Sequence, residues 1–207
     1  MRKALAVSII IISILLASNL YLLTSREEHT FTMNTIVKVY INDQLVYVKK
    51  GDIFNKNMQY WIQYLFEAPR QSLFFDTNGN SDTAVNILGG LDNATETRAI
   101  YAITDSTWDP TIDTVSLPSG SILLDSESLY QTTSSGNTIT IQIVKYRLFE
   151  DGVTVYGSAL ATHFNYKDPD LNAKWMWMLL CVDKFDTSVT VNAGDVLKIE
   201  YDIVINP

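Results

Sequence analysis

Asp76-Thr77-Asn78-Gly79-Asn80-Ser81-Asp82 places oxygen-bearing side chains at alternate positions. Loops that bind calcium present carboxylate and amide oxygens with this spacing. Asp76, Asn78, Asn80 and Asp82 are the ligands such a loop would use. The stretch departs from the helix–loop–helix pattern in two ways. Its glycine is fourth rather than sixth, and Ile87 stands where the bidentate glutamate belongs. The same residues also spell an Asn-Gly turn between two strands, solvated and free of ions, and we favour that reading.

Other reactive constellations are sparse. His29 and His163 have no second His or Cys at zinc-ligand spacing. Cys181 is the single cysteine and sits in the apolar stretch Trp175–Val182. It reads as core, and its apolar setting works against a nucleophilic thiolate. The chain has no G-x-S-x-G elbow and no glycine-rich phosphate loop before a helix. We therefore expect no enzyme, no cofactor and no small-molecule substrate. Asn93-Ala94-Thr95 is the one N-x-S/T sequon, a glycan acceptor if this part of the chain lies outside a suitable cell. Trp108 and the group Tyr60, Trp61 and Tyr64 are candidate anchors for a partner, with core packing as the ordinary alternative.

The segment that positions all of this in space comes first in the chain. Arg2 and Lys3 lead into the apolar run Ala4–Leu23. At about 1.5 Å per helical residue the run reaches about 30 Å, the thickness of a bilayer's hydrocarbon core. It is either a retained anchor or a cleaved signal peptide. No small-x-small cleavage site stands out, which favours retention. Charge before the run places the N-terminus inside and the remainder outside. The division is thus 1–25, an anchor or signal segment, and 26–207, the outer domain. If residues 4–23 are cut away, the domain is secreted.

The net charge of −8 excludes a nucleic-acid partner, since phosphate binding needs a basic stripe. Eleven Tyr, eight Phe and four Trp, with many Ile, Val and Thr, make a strand composition. Residues 35–41 and 44–49 flank Asn42-Asp43 and predict a hairpin. Residues 55–67 predict an amphipathic helix, with Met58, Trp61, Ile62, Leu65 and Phe66 on one stripe, stopped by Pro69. Short strands are expected at 72–75, 84–88, 98–104, 121–124, 129–132 and 153–156. A long strand at 137–149 changes its apolar parity at Ile143-Val144, as a β-bulge would cause. Residues 173–182 lack polar alternation and predict a strand covered on both faces, by another sheet and by the helix or a neighbouring subunit. Residues 195–205 alternate cleanly, with Leu197, Ile199, Tyr201, Ile203 and Ile205 facing in and Lys198, Glu200 and Asp202 facing out. The expected class is all-β: an antiparallel, jelly-roll-like β-sandwich with one helix near 55–67 and an N-terminal membrane helix.

Three segments of the C-terminal part carry a likeness: Leu124-Asp-Ser-Glu127, Ser135-Gly-Asn-Thr-Ile-Thr-Ile141, and Gly194 with Asp195–Ile205. Together they resemble the ending of small structural proteins from tailed phages and archaeal viruses. Those carry a Leu/Glu pair, an SGNT-I-I strand and a closing GD-L-I-Y-I-I strand. The resemblance covers roughly residues 120–207 and implies a non-enzymatic β-sandwich building block. It transfers no site residue, because it is one of strand pattern. The run at 4–23 departs from tail proteins assembled in the cytoplasm and would suit a virion with a lipid envelope.

The expected function is a structural assembly subunit, anchored through residues 4–23 in the membrane of a virion envelope, tail or spike. Its partners are lipid, copies of itself and other structural subunits. One alternative is a secreted cell-surface filament or adhesin subunit whose residues 27–39 add as a strand to the next subunit's sheet. A second is a calcium- or carbohydrate-binding surface module built on Asp76, Asn78, Asn80 and Asp82.

Overall fold

Asn42 and Asp43 both hold left-handed backbone angles, φ 51° and 65°. Asn and Asp tolerate that region best among non-glycine residues. Two in succession make the turn whose twist matches antiparallel strands. The turn joins β1 (Thr32–Ile41) to β2 (Gln44–Lys50), as the sequence predicts. The computed structural model describes residues 32–50, 53–60, 72–84, 86–87 and 98–206. The run Ala4–Leu23, the sequon at Asn93 and the expected helical residues 61–67 lie outside these. Among the described residues no helix is long and apolar enough to cross a membrane.

Met33–Asn206 is one compact unit, mostly antiparallel β. A first sheet runs β2, β1, β13 (Val196–Asn206), β10 (Thr138–Leu148), β9 (Ser126–Ser135). A second runs β3 (Ile53–Phe54), β12 (Ala173–Val191), β11 (Val153–Lys167), β7 (Arg98–Ile103), β8 (Ile122–Leu124), with β6 (Asn86–Ile87) also beside β11. β4 (Ser72–Phe75) and β5 (Ser81–Ala84) pair as a separate hairpin. Of the expected helix, residues 56–60 are described and helical. Asn55 caps them by accepting the Met58 N–H at 3.3 Å.

One apolar cluster draws on both large sheets. Val37, Val39, Ile143, Leu197, Ile199 and Tyr201 come from the first, and Leu160, Met178 and Cys181 from the second. Cys181 is a fully buried free thiol, as its apolar neighbours predict. A second cluster lies on the opposite face of the second sheet. There Ala99, Ala159, Ala161, Leu179 and Val182 are packed against Trp108 and Leu117. β12 is therefore covered on both faces, and residues between β7 and β8 form part of the outer cover. Trp108 belongs to this packing. Small residues let the cover approach closely: a Cβ on Gly157 would lie 2.4 Å from the Asp183 carbonyl oxygen and 3.0 Å from Trp108 Cζ3.

Three local expectations need correction. The stretch expected as one strand at 84–88 is split between β5 in the small hairpin and β6 in the second sheet. The bulge near Ile143-Val144 exists, but its extra residue is Ser128 on β9; β10 pairs with β13 without a break from Ile139 to Leu148. Ile143 and Val144 are instead buried on opposite faces of one regular strand. Glu200 and Asp202 do point away from the core, yet both are nine-tenths buried. Lys38 from β1 reaches each of them at 2.6 Å. Gln142 adds a 2.7 Å bond to Glu200.

Candidate functional site

The β4–β5 connection holds the sequence-predicted ligands. Asp76 Oδ1 accepts the backbone N–H groups of Asn78 and Asn80 at 2.9 and 2.8 Å. Asn80 Nδ2 donates to Asp76 Oδ2 at 3.0 Å. Gly79, at φ 86°, lets the chain turn back. Burial opposes ionisation of Asp76, but the bonds from Asn80 and Asn78 outweigh it and hold its pKa below the ordinary value. Asn78 and Gly79 thus lie in a tight turn between β4 and β5.

Asp82 is engaged elsewhere. Its Oδ2 accepts the Tyr166 hydroxyl at 2.5 Å, and its Oδ1 accepts the Thr83 N–H at 2.7 Å. The Tyr166 bond is the main reason its pKa is depressed. Burial, then that same bond, pushes the Tyr166 phenol up. Lys174 Nζ lies 3.4 Å from Asp82 and 3.1 Å from Asp168. Its ammonium pKa is raised by the hydrogen bond to Asp168 and then by that to Asp82. Asp168 shapes the β11–β12 turn by accepting the N–H groups of Asp170 and Asn172. The structure thus gathers Asp82, Tyr166, Asp168 and Lys174, with an internal ammonium between the carboxylates. Among the described residues, no three His, Cys, Asp or Glu side chains are placed to hold a metal ion.

On the outer face of the same hairpin lies a group that sequence reasoning missed. The His163 ring sits 5.0 Å from Trp175 and 5.4 Å from Trp177, tilted at 45° and 57°. Trp175 is 66% exposed. The Thr77 N–H donates to the Trp177 carbonyl at 2.8 Å, which ties the Asp76 loop to this aromatic edge. The signal was the shared parity of Trp175 and Trp177, opposite to Met176 and Met178, which face the core. Such a group of rings offers stacking.

The segment considered for strand donation, 27–39, is described from Thr32 onward. There it forms β1, held in its own sheet between β2 and β13. Asn42 Nδ2 donates to Asp195, and Asn42 Oδ1 accepts the Val196 N–H, which pins the β1–β2 turn to the start of β13. Comparison with known proteins finds no matching family, no matching curated protein and no matching solved structure.

Proposed function

We propose that this protein is a non-enzymatic structural assembly subunit, a membrane-anchored β-sandwich, jelly-roll-like, of a virion envelope, tail or spike. One observation carries the reading. β2 ends the first sheet, and its Leu45, Val46 and Val48 are each about half exposed, at 54%, 50% and 51%. Sheet edges are usually blunted by charge, proline or cover, and an apolar edge suits lateral packing of subunits. Support also comes from the apolar leader at 4–23 and from the shared apolar cluster between the two sheets. Immunogold electron microscopy of particles purified from the producing culture tests it. Label on envelope, tail or spike is expected. Protein found only as free soluble monomer, with unlabelled particles, would defeat the reading.

One observation favours a second reading, a carbohydrate-binding surface module: the exposed Trp175 beside His163 and Trp177. Aromatic faces stack on sugar rings, and the Asn78 and Asn80 amides on the adjoining loop supply polar groups. Retention on immobilised polysaccharides that vanishes in Trp175→Ala is its expected signature. Wild-type protein that passes every such column unretarded removes it.

A further inference from the structure

Arg98 opens β7 and is only 6% exposed. Its guanidinium carbon lies 3.4 Å from the centroid of the Tyr130 ring, so the cation from the second sheet stacks on an aromatic from the first. Its buried Nε has no hydrogen-bond partner. A guanidinium carries five donors and stays charged, and burying one without an acceptor is costly. The same residue lines a cavity of about 40 Å³ walled by Tyr130, Ile141, Ile143, Leu160 and Ile203. One water takes about 10–15 Å³ of such volume, so the cavity accommodates roughly three or four non-hydrogen atoms. A largely apolar chamber of that size, with an unpartnered guanidinium N–H in its wall, matches one kind of occupant. The occupant has a short methylene body and an anionic planar head that accepts paired N–H donors.

We infer that the Arg98–Tyr130 cavity is a carboxylate-binding site, sized for a single carboxymethyl group. The methylene packs on Ile141 and Ile203, and the carboxylate oxygens accept from the guanidinium. Two sources present this chemistry: a free small carboxylate such as acetate, or the tip of an Asp or Glu side chain from a second copy of this chain. The second source has a route in, because Leu129–Ser135 of the terminal strand β9 are exposed on both faces beside the cavity. It also has abundant acceptors, with 23 acidic residues against 15 basic ones. The site does not depend on the proposed assembly role.

The test uses the full chain in detergent micelles, with acetate as probe, acetamide as its neutral isostere and sodium chloride matched for ionic strength. For a free carboxylate, acetate raises the melting temperature saturably with a millimolar half-point, and acetamide and chloride do not. Arg98→Gln abolishes that shift. For a second copy, wild-type protein sediments as an oligomer that acetate dissociates and Arg98→Gln leaves monomeric. Either pattern supports the site. A wild-type protein whose melting temperature and sedimentation ignore acetate overturns it without any variant. An acetate response that survives in a folded Arg98→Gln protein overturns it equally.

Discussion

The hydroxyls of Ser158 and Tyr201 meet at 2.7 Å inside the apolar core, one from β11 of the second sheet and one from β13 of the first. Tyr201 is the largest fully buried side chain among the described residues and belongs to the same apolar cluster as Leu197, Ile199 and Leu160. A polar contact in apolar surroundings ties β11 to β13, because sliding either strand would break it. Ser158→Ala and Tyr201→Phe are each expected to cost about 1–3 kcal/mol. The double variant should cost less than their sum, by about 0.5 kcal/mol or more. Urea unfolding of the four proteins measures the coupling, and strict additivity would show that the bond does not tie the two strands.

Gly157 sits where β11 slips register against β12. Gly157→Ala forces a methyl against the Asp183 carbonyl, and a backbone atom cannot rotate away. The expected loss is about 3 kcal/mol. Trp108→Ala in the same chain should fail to rescue it, since the carbonyl contact at 2.4 Å remains. Recovery of the melting temperature in that double variant would mean that the indole, rather than the carbonyl, is the obstacle.

Glu200 and Asp202 share Lys38 and titrate in opposite senses. Burial, with the nearby Glu200 charge, raises the Asp202 pKa. Burial opposes ionisation of Glu200 too, but bonds from Lys38 and Gln142 pull its pKa below the ordinary value. A carboxyl with a raised folded pKa adds stability as pH falls through that value towards 3.8. One with a depressed pKa contributes above 4.5 and loses that contribution as pH falls further. Asp202→Asn should therefore remove the gain on mild acidification, while Lys38 keeps its pairing with Glu200. Lys38→Met leaves two buried carboxylates facing each other and should cost about 3–5 kcal/mol at pH 7. Denaturant midpoints across pH 4–7 separate the two.

The Tyr166–Asp82 bond joins the second sheet to the small hairpin. Tyr166→Phe should cost about 1.5–3 kcal/mol at neutral pH, the range for a hydrogen bond to a charged group. Asp82, with its depressed pKa, lends stability above 3.8 and loses it as pH falls through its folded value. The variant and the wild type should thus converge in acid. A deficit that stays constant down to acid pH would assign the loss to packing instead.

The apolar edge of β2 yields a prediction about assembly. Val48→Lys places a charge opposite Lys38 on the outward side of the edge, where Val48 is half exposed. The like charge opposite Lys38 should cost only about 0.2–1 kcal/mol. Sedimentation should nonetheless show weaker self-association, because an edge lysine opposes sheet-to-sheet contact. Unchanged association would move the contact away from β2.

Much of the strand content was legible because it rests on local period and turn chemistry. The Asn42-Asp43 hairpin, β4 at Ser72–Phe75 and the inward set on β13 all appear where alternation and turn residues put them. Two strands run much longer than the local pattern predicts. β11 continues to Lys167 through Gly157, Ser158, Ala159 and Ala161, small residues with weak intrinsic strand preference. β12 continues to Val191 through Asp183, Lys184 and Asp186, charges that read as a loop. In both, pairing along a long hairpin overrides local preference.

The chain's order of residues by itself determined which positions seek burial and where the backbone turns, since period-two alternation and left-handed turn residues act between near neighbours. Tertiary structure alone decided the rest. It set Lys38 between carboxylates more than 160 positions away, laid Trp108 over Gly157, and enclosed the Arg98 guanidinium beneath Tyr130. Those outcomes depend on which strands become neighbours, and a charge or an aromatic ring carries no local mark of the partner it will meet across a sheet.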